Sequence, residues 1–241
     1  MALLRLREIP RRSFKAVPWK NGKGLTHEVA VHERQGQGQG NTRAPFAWRL
    51  SMAELAPPGG AFSMIDGVDR VLTLLQGDLA LKVGAAAEFE SLGTAQPFSF
   101  PGDVETDSVV RSKGLDLNVM HCRETISARV AVVCGSQDAA REVDSPLAED
   151  DAVFVISLGD DNDTRGCSLS IEAETSCGSK AAAELGGLDA VEVCVGAGDG
   201  EKEEEEEEKE EEGAEASRRL ALRVRGEGSA LLVCFTRRQE R

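Results

Sequence analysis

A chain of 241 residues with 41% hydrophobic content has enough apolar material for one or two packed β domains. The formal net charge of −14 is concentrated in residues 201–212, whose ten Glu and two Lys contribute −8 and leave −6 for the remainder. An acidic balance disfavours nucleic acid and anionic lipid as partners, since both reward Lys and Arg patches.

The chain opens with Arg5, Arg7, Arg11 and Arg12, a composition that suits a transit peptide, but Glu8 and the immediate run into a motif argue against removal. The apolar stretch in residues 1–14 is too short for a signal peptide. No segment approaches the roughly 20 apolar residues that span a bilayer. Beyond this start, apolar positions alternate rather than recur at helical spacing, as in Trp48, Leu50 and Met52 against Arg49, Ser51 and Ala53. Strands are predicted at 26–33, 48–52, 69–76, 79–83, 115–121, 153–158, 168–173, 191–195, 220–225 and 230–236, with a further strand and turn around Phe98 and Phe100. Gly, Pro, Asp and Ser clusters separate them, the pattern of an all-β sandwich or barrel. Only 179–185 and the acidic run have helix-friendly composition, and a block of like charges repels itself. Cys122, Cys134, Cys167, Cys177, Cys194 and Cys234 form no C-x-x-C pair and no short Cys/His cluster. That argues against zinc and for a reduced, cytoplasmic setting.

Residues 35–42 repeat Gly-Gln and read as a flexible loop. The acidic segment 196–216 reads as a loop between two strands, either a tolerated expansion or a protein-docking surface. These boundaries divide the chain into an N-terminal barrel at 1–123, a crossover at 124–151 and a C-terminal barrel at 152–241.

The most unusual run is Pro18-Trp19-Lys20-Asn21-Gly22-Lys23-Gly24-Leu25-Thr26-His27-Glu28. It resembles the P-W-K-N-G-G-G-x-T-x-E opening of the HutD/Ves family, departing from it at Lys23. Matching segments follow in the family's order at 46–54, 62–63 with 67–77, 97–103 and 116–120, so the resemblance covers residues 18 to 121. It implies a bicupin, two jelly-roll barrels of RmlC-like type in one chain. It also implies a link to histidine utilisation, with N-formylglutamate as the proposed ligand class.

Many cupins hold a metal through two closely spaced histidines, a carboxylate and a later histidine. Here His27 and His32 lie five apart, which on a regular strand puts them on opposite faces, and His121 is distant in sequence. A metal-free barrel without a cofactor is therefore expected. What remains suits an acidic ligand. Arg49 and Arg70 offer planar forks that can each grip a carboxylate. Asn21 offers an amide, Trp19 an apolar wall, and Glu54 or Asp69 a counter-charge, while Asn118 points away from Leu117 and Val119 toward the same space. The same residues also admit a structural reading: Arg49 with Glu54 or Asp69 with Arg70 as internal ion pairs, and Asn21 with its glycines as a turn. No catalytic constellation is recognisable, so whether the protein is an enzyme stays open. Three functions follow: a pocket sensing or binding a small acidic metabolite; a lyase, isomerase or hydrolase using Glu54, Glu28 or His27 as base; and an interaction scaffold working through the acidic loop.

Overall fold

The computed structural model describes residues 2–19, 24–34, 44–135, 141–143, 151–159, 168–175, 178–197 and 220–238. Residue Asn21, the Gly-Gln repeat at 35–42 and the acidic run at 201–212 lie outside them. The described chain is β throughout apart from one 3-10 turn at Arg11–Ser13. Among these residues no helix is long and apolar enough to cross a membrane.

The first half builds one large antiparallel sheet from β2 (Lys15–Pro18), β3 (Leu25–Glu33), β4 (Phe46–Leu55), β5 (Gly59–Ala61), β6 (Val68–Val83), β7 (Glu90–Ser91), β8 (Pro97–Pro101) and β9 (Thr106–Cys122). Its order is β2-β3-β4-β9-β6-β7, with β5 added to β9 and β8 to β6. The long strands β6 and β9 slip register between Leu74 and Leu79, beside Gly77 at φ 97°. Gly114 lies so close that a Cβ there would meet Gln76 O at 2.1 Å. The irregularity changes the parity of β6, so that Leu72 and Leu74 before it and Leu79 and Leu81 after it join one inner cluster with Leu55, Phe100 and Val110. A smaller inner cluster, Ala44, Phe46, Val68, Met120 and Cys122, fills the other end.

Two sheets make the second half. The five-stranded sheet has the order β1 (Ala2–Ile9), β15 (Ala190–Ala197), β12 (Ala152–Ser157), β17 (Ser229–Arg237), β10 (Ile126–Cys134). The four-stranded one runs β11 (Arg141–Val143), β16 (Leu220–Glu227), β13 (Ser168–Thr175), β14 (Lys180–Gly186). The five-stranded sheet is the middle layer and is apolar on both faces. Val153 and Val155 of β12 point into the cluster shared with β13 and β16, and Ala152, Phe154 and Ile156 point into the cluster shared with the first half. This explains why β12 reads as an unbroken apolar run and is buried at all six positions.

Two boundaries differ from the sequence reading. Strand β1 pairs along its whole length with β15, so the chain's first residues belong to the second half's sheet. Strand β10, within the expected crossover, pairs throughout with β17. The helix-friendly segment 179–185 is instead the edge strand β14, because pairing with β13 lets Ala183 and Leu185 bury on one face at strand period.

One polar clasp closes the base of the first barrel. Arg123 donates from Nε to Asp69 Oδ1 at 3.0 Å, from both Nη atoms to Asp103 at 2.8 Å, and from Nη2 to Val68 O at 3.0 Å. Asp69 therefore serves Arg123, in the turn after β9, and not its sequence neighbour Arg70, whose side chain takes the other face of β6. Replacing Arg123 by Ala takes the guanidinium from both carboxylates, leaving Asp103 the Gly67 amide and the Val68 carbonyl the Gly102 amide as donors. With the arginine side chain 35% exposed, solvent screening discounts the effect. The expected loss is roughly 2 kcal/mol, read from the urea midpoint, and a variant as stable as wild type would show the clasp to be ornamental.

Candidate functional site

The inward faces of β3, β4, β9 and β6 place polar residues in adjoining cross-strand rows. One row is Glu28, Ser51, Asn118 and Leu72; the next is Arg49, Met120 and Arg70; a third contains Ala53, Asp116 and Leu74. The alternation that sends Leu50, Met52, Leu117 and Val119 to the shared core sends Arg49, Ser51, Asp116 and Asn118 inward. The result is a polar layer between the two apolar clusters of the barrel interior.

Arg70 is its most constrained member. Only 6% of it is exposed, and its Nη2 donates to Ser63 O. Its Cζ lies 5.6 Å from the Phe62 ring centroid and 5.9 Å from that of Phe100, so both rings flank the cation. Gly102 permits this seat, since a Cβ there would stand 3.2 Å from Arg70 Nε and 2.9 Å from Val68 O. Burial pulls the Arg70 guanidinium below its ordinary value; the charge of Asp116 opposes that, and the charge of Arg49 adds to it. The Arg70 Nε has no hydrogen-bond partner.

Arg49 Nε stands 2.9 Å from Glu28 Oε2, an ion pair by distance. Its N–H is not aimed at an acceptor, and this nitrogen too is buried without a hydrogen bond. Asp116 is 1% exposed and accepts one side-chain hydrogen bond, from Asn118 Nδ2 at 2.7 Å. Burial pushes its carboxyl up to about 7, against the Asn118 bond, the Ala53 backbone bond and the charge of Arg70. The other amide atom, Asn118 Oδ1, is buried and unpaired.

At the rim, Trp19 Nε1 donates to Thr26 Oγ1 at 2.9 Å, and the Trp19 amide donates to Gly24 O at 2.9 Å. A Cβ at Gly24 would come within 3.0 Å of the indole, so the glycine lets the ring lie flat on the chain. Thr26 is on the same β3 face as Glu28, which brings Trp19 to the edge of the polar layer.

The structure thus unites Arg49, Arg70 and Asn118, with Trp19 beside them. Glu54 is not among them. Five residues from Arg49 on one strand, it takes the opposite face and pairs with His27 Nε2 at 2.9 Å. Arg49's carboxylate partner is Glu28 instead. The histidines also depart from expectation: a bulge between Glu28 and Ala30 puts His27 opposite Met52 and His32 opposite Trp48, on one face. His32 stacks on Trp48 with ring centroids 5.7 Å apart, and Trp48 pairs in turn with His121. His121 is buried and its Nδ1 lies 2.9 Å from Ile126 O. Among the described residues no group of three or more His, Cys, Asp or Glu is placed to hold a metal ion. Asp116 is the site residue that sequence reasoning missed, although the period that selects Asn118 between Leu117 and Val119 selects Asp116 between Leu115 and Leu117 equally well.

Chemically, the layer sets two inward guanidinium groups, one of them paired with Glu28, beside a buried acid whose carboxyl is raised to about 7. Among the described residues no carboxylate makes an ion pair with Arg70.

The HutD family model matches residues 11–179 of this chain. Protein Ves of Citrobacter koseri is 36% identical over 149 residues, covering 59% of this chain and 70% of that protein. An uncharacterized 21.2 kDa protein in the hutC 3′ region of Pseudomonas putida is 30% identical over 131 residues, covering 54% of this chain and 63% of that protein. Among solved structures, HutD from Pseudomonas fluorescens SBW25, obtained in a formate condition, superposes with a TM-score of 0.65 at 24% identity, covering 97% of this chain and all of that one. That likeness extends across both halves, and the all-β bicupin architecture expected from the sequence is the one found.

Proposed function

The chain belongs to the HutD family, and from that premise we propose that the interior of its first barrel binds a small carboxylic acid. The observation that carries this reading is Arg70, a buried cation with an unpaired Nε and, among the described residues, no carboxylate in ion-pair contact. A buried charge without an ion-pair partner is expensive, and a ligand carboxylate supplies that partner. Arg49 stands across Met120 on the same inward row, so a second acidic group of the ligand has its own fork. The ligand class is N-formylglutamate or a close relative within histidine utilisation, bound in the cytoplasm without a metal.

Thermal unfolding of chelator-treated protein against N-formylglutamate, glutamate, urocanate and simple dicarboxylates tests it. A ligand of the native state contributes about 2.7 kcal/mol at a hundredfold excess over Kd, or roughly 5–10 °C for a chain of this size. A selective rise that vanishes in Arg70→Gln and falls in Arg49→Gln is the expected result. A flat response across all the acids refutes carboxylate binding, and turnover of the bound acid seen by NMR moves the reading to an enzyme.

A further inference from the structure

Within the proposed carboxylate site, one hydrogen bond has a direction that a single proton decides. Asp116 and Asn118 lie two apart on β9, on the same inward face, and both are at least nine-tenths buried. Asn118 Nδ2 donates to Asp116 Oδ1 at 2.7 Å. That arrangement serves an ionised acid, which has no proton to give, and leaves the amide oxygen Oδ1 unpaired in the interior. It suits an empty barrel poorly, because a buried acceptor without a donor is costly. It suits a carboxylate ligand worse still, since the amide oxygen and the Asp116 charge both repel it.

The protonated pair behaves in the opposite way. An Asp116 O–H donates to Asn118 Oδ1, the amide turns over, and Nδ2 is freed to donate into the barrel. The layer then presents two donors that no acid of the barrel holds, the unpaired Nε of Arg70 and the freed Asn118 amide, beside the Arg49 guanidinium with its Glu28 partner. The charged group facing Asp116 from the packed strands is Arg70 on β6; Arg49 on β4 acts on Arg70 and is paired in turn with Glu28 on β3. His27 and Glu54 are paired with each other on the other face of the sheet. With Asp116 neutral, this set carries one net positive charge, which a carboxylate cancels.

We infer that carboxylate binding in this barrel takes up one proton on Asp116, and that the Asn118 amide turns over to become a ligand-facing donor. This rests on the proposed carboxylate site and adds its regulation: acidification tightens binding, alkalinisation releases the ligand. The Asp116 carboxyl already titrates near neutrality in the free protein, so ordinary shifts of pH are enough to operate the switch.

Calorimetric titration of the full chain with N-formylglutamate, whose carboxyls stay ionised throughout, between pH 6 and pH 9 in two buffers of different ionisation enthalpy, counts the protons. The expected result is uptake approaching one proton per ligand at pH 8 and a Kd that weakens about tenfold per pH unit above the Asp116 midpoint. Asp116→Asn, which holds the pair in its uncharged form, is expected to bind with little pH dependence. Binding to wild type with no proton uptake overturns the coupling and leaves the carboxylate site standing, whereas no binding at any pH overturns both. A check that needs no variant is the 13C signal of the Asp116 carboxyl. Its midpoint should rise by about two pH units or more when N-formylglutamate is added, and an unchanged midpoint overturns the inference.

Discussion

Truncating Phe235 to Ala should cost about 4 kcal/mol and should do so in a single unfolding transition for the whole molecule. Phe235 is fully buried on β17, where its ring stacks on Trp48 of the first half at 4.6 Å between centroids with a 13° interplanar angle. Trp48 also meets Phe154 edge-on at 5.5 Å, and Phe154 meets Phe235 at 6.3 Å. The three rings sit in a cluster that draws Leu50, Met52, Leu117 and Val119 from the eight-stranded sheet and Ile156, Leu231 and Val233 from the five-stranded one. Loss of the ring removes its transfer energy, leaves a cavity that rigid strands on both sides cannot collapse, and forfeits aromatic contacts worth roughly 0.5–1.5 kcal/mol each. Because neither half owns this cluster, neither is expected to unfold without the other. Strand β1 reinforces the coupling, since the chain enters through the second half's sheet before building the first. Urea denaturation followed by tryptophan fluorescence and by far-UV circular dichroism checks both claims. Coincident curves with a lowered midpoint are expected; two separated transitions would mean that the barrels are energetically independent.

What the sequence made legible is what depends on neighbours along the chain. Alternation identified β3, β4, β13, β15 and β16 because each has a buried face, and period 2 records that burial directly, while β12 and β17 stood out as apolar runs. Sheet membership is different. Leu4 and Leu6 alternate with Arg5 and Arg7 in β1, but nothing local says that their partner is β15, nearly the whole chain away. Strand β14 carries Ala181, Ala182, Ala183 and Leu185, good helix formers, and only pairing with β13 makes them a strand. At the site, Arg49, Arg70 and Asn118 were legible as polar interruptions of apolar strands with inward parity. Glu54 fails on that same parity. The histidines defeated the rule because a bulge, invisible in composition, adds one residue between Glu28 and Ala30.

Asp116→Asn should reverse its effect on stability as pH rises, and the sign follows from burial. In the folded protein the carboxyl titrates at about 7, well above its ordinary 3.8, chiefly because burial disfavours the charge. The folded state therefore holds its proton more tightly than the unfolded chain does. The associated stability is fully present below about pH 4 and is lost as pH climbs through 7, by on the order of 4 kcal/mol. A carboxamide at position 116 keeps the shape and bears no charge, so the variant escapes that loss. It is expected to match wild type or fall slightly below it at pH 5, and to exceed it at pH 8.5. Two other groups act with the opposite sense. Asp103, held low by its hydrogen bonds to Arg123, contributes stability above its ordinary value that disappears in stronger acid. Burial lowers His121, which contributes stability above about pH 6.5 that is lost as pH falls. Both are present in wild type and variant alike, so the difference between their urea midpoints across pH isolates Asp116. A flat difference from pH 5 to 8.5 would mean that water reaches the Asp116 carboxylate. A crossover near neutrality would mean that the barrel keeps a destabilising acid at its centre, which is the arrangement required of a residue whose charge must disappear when an anionic ligand arrives.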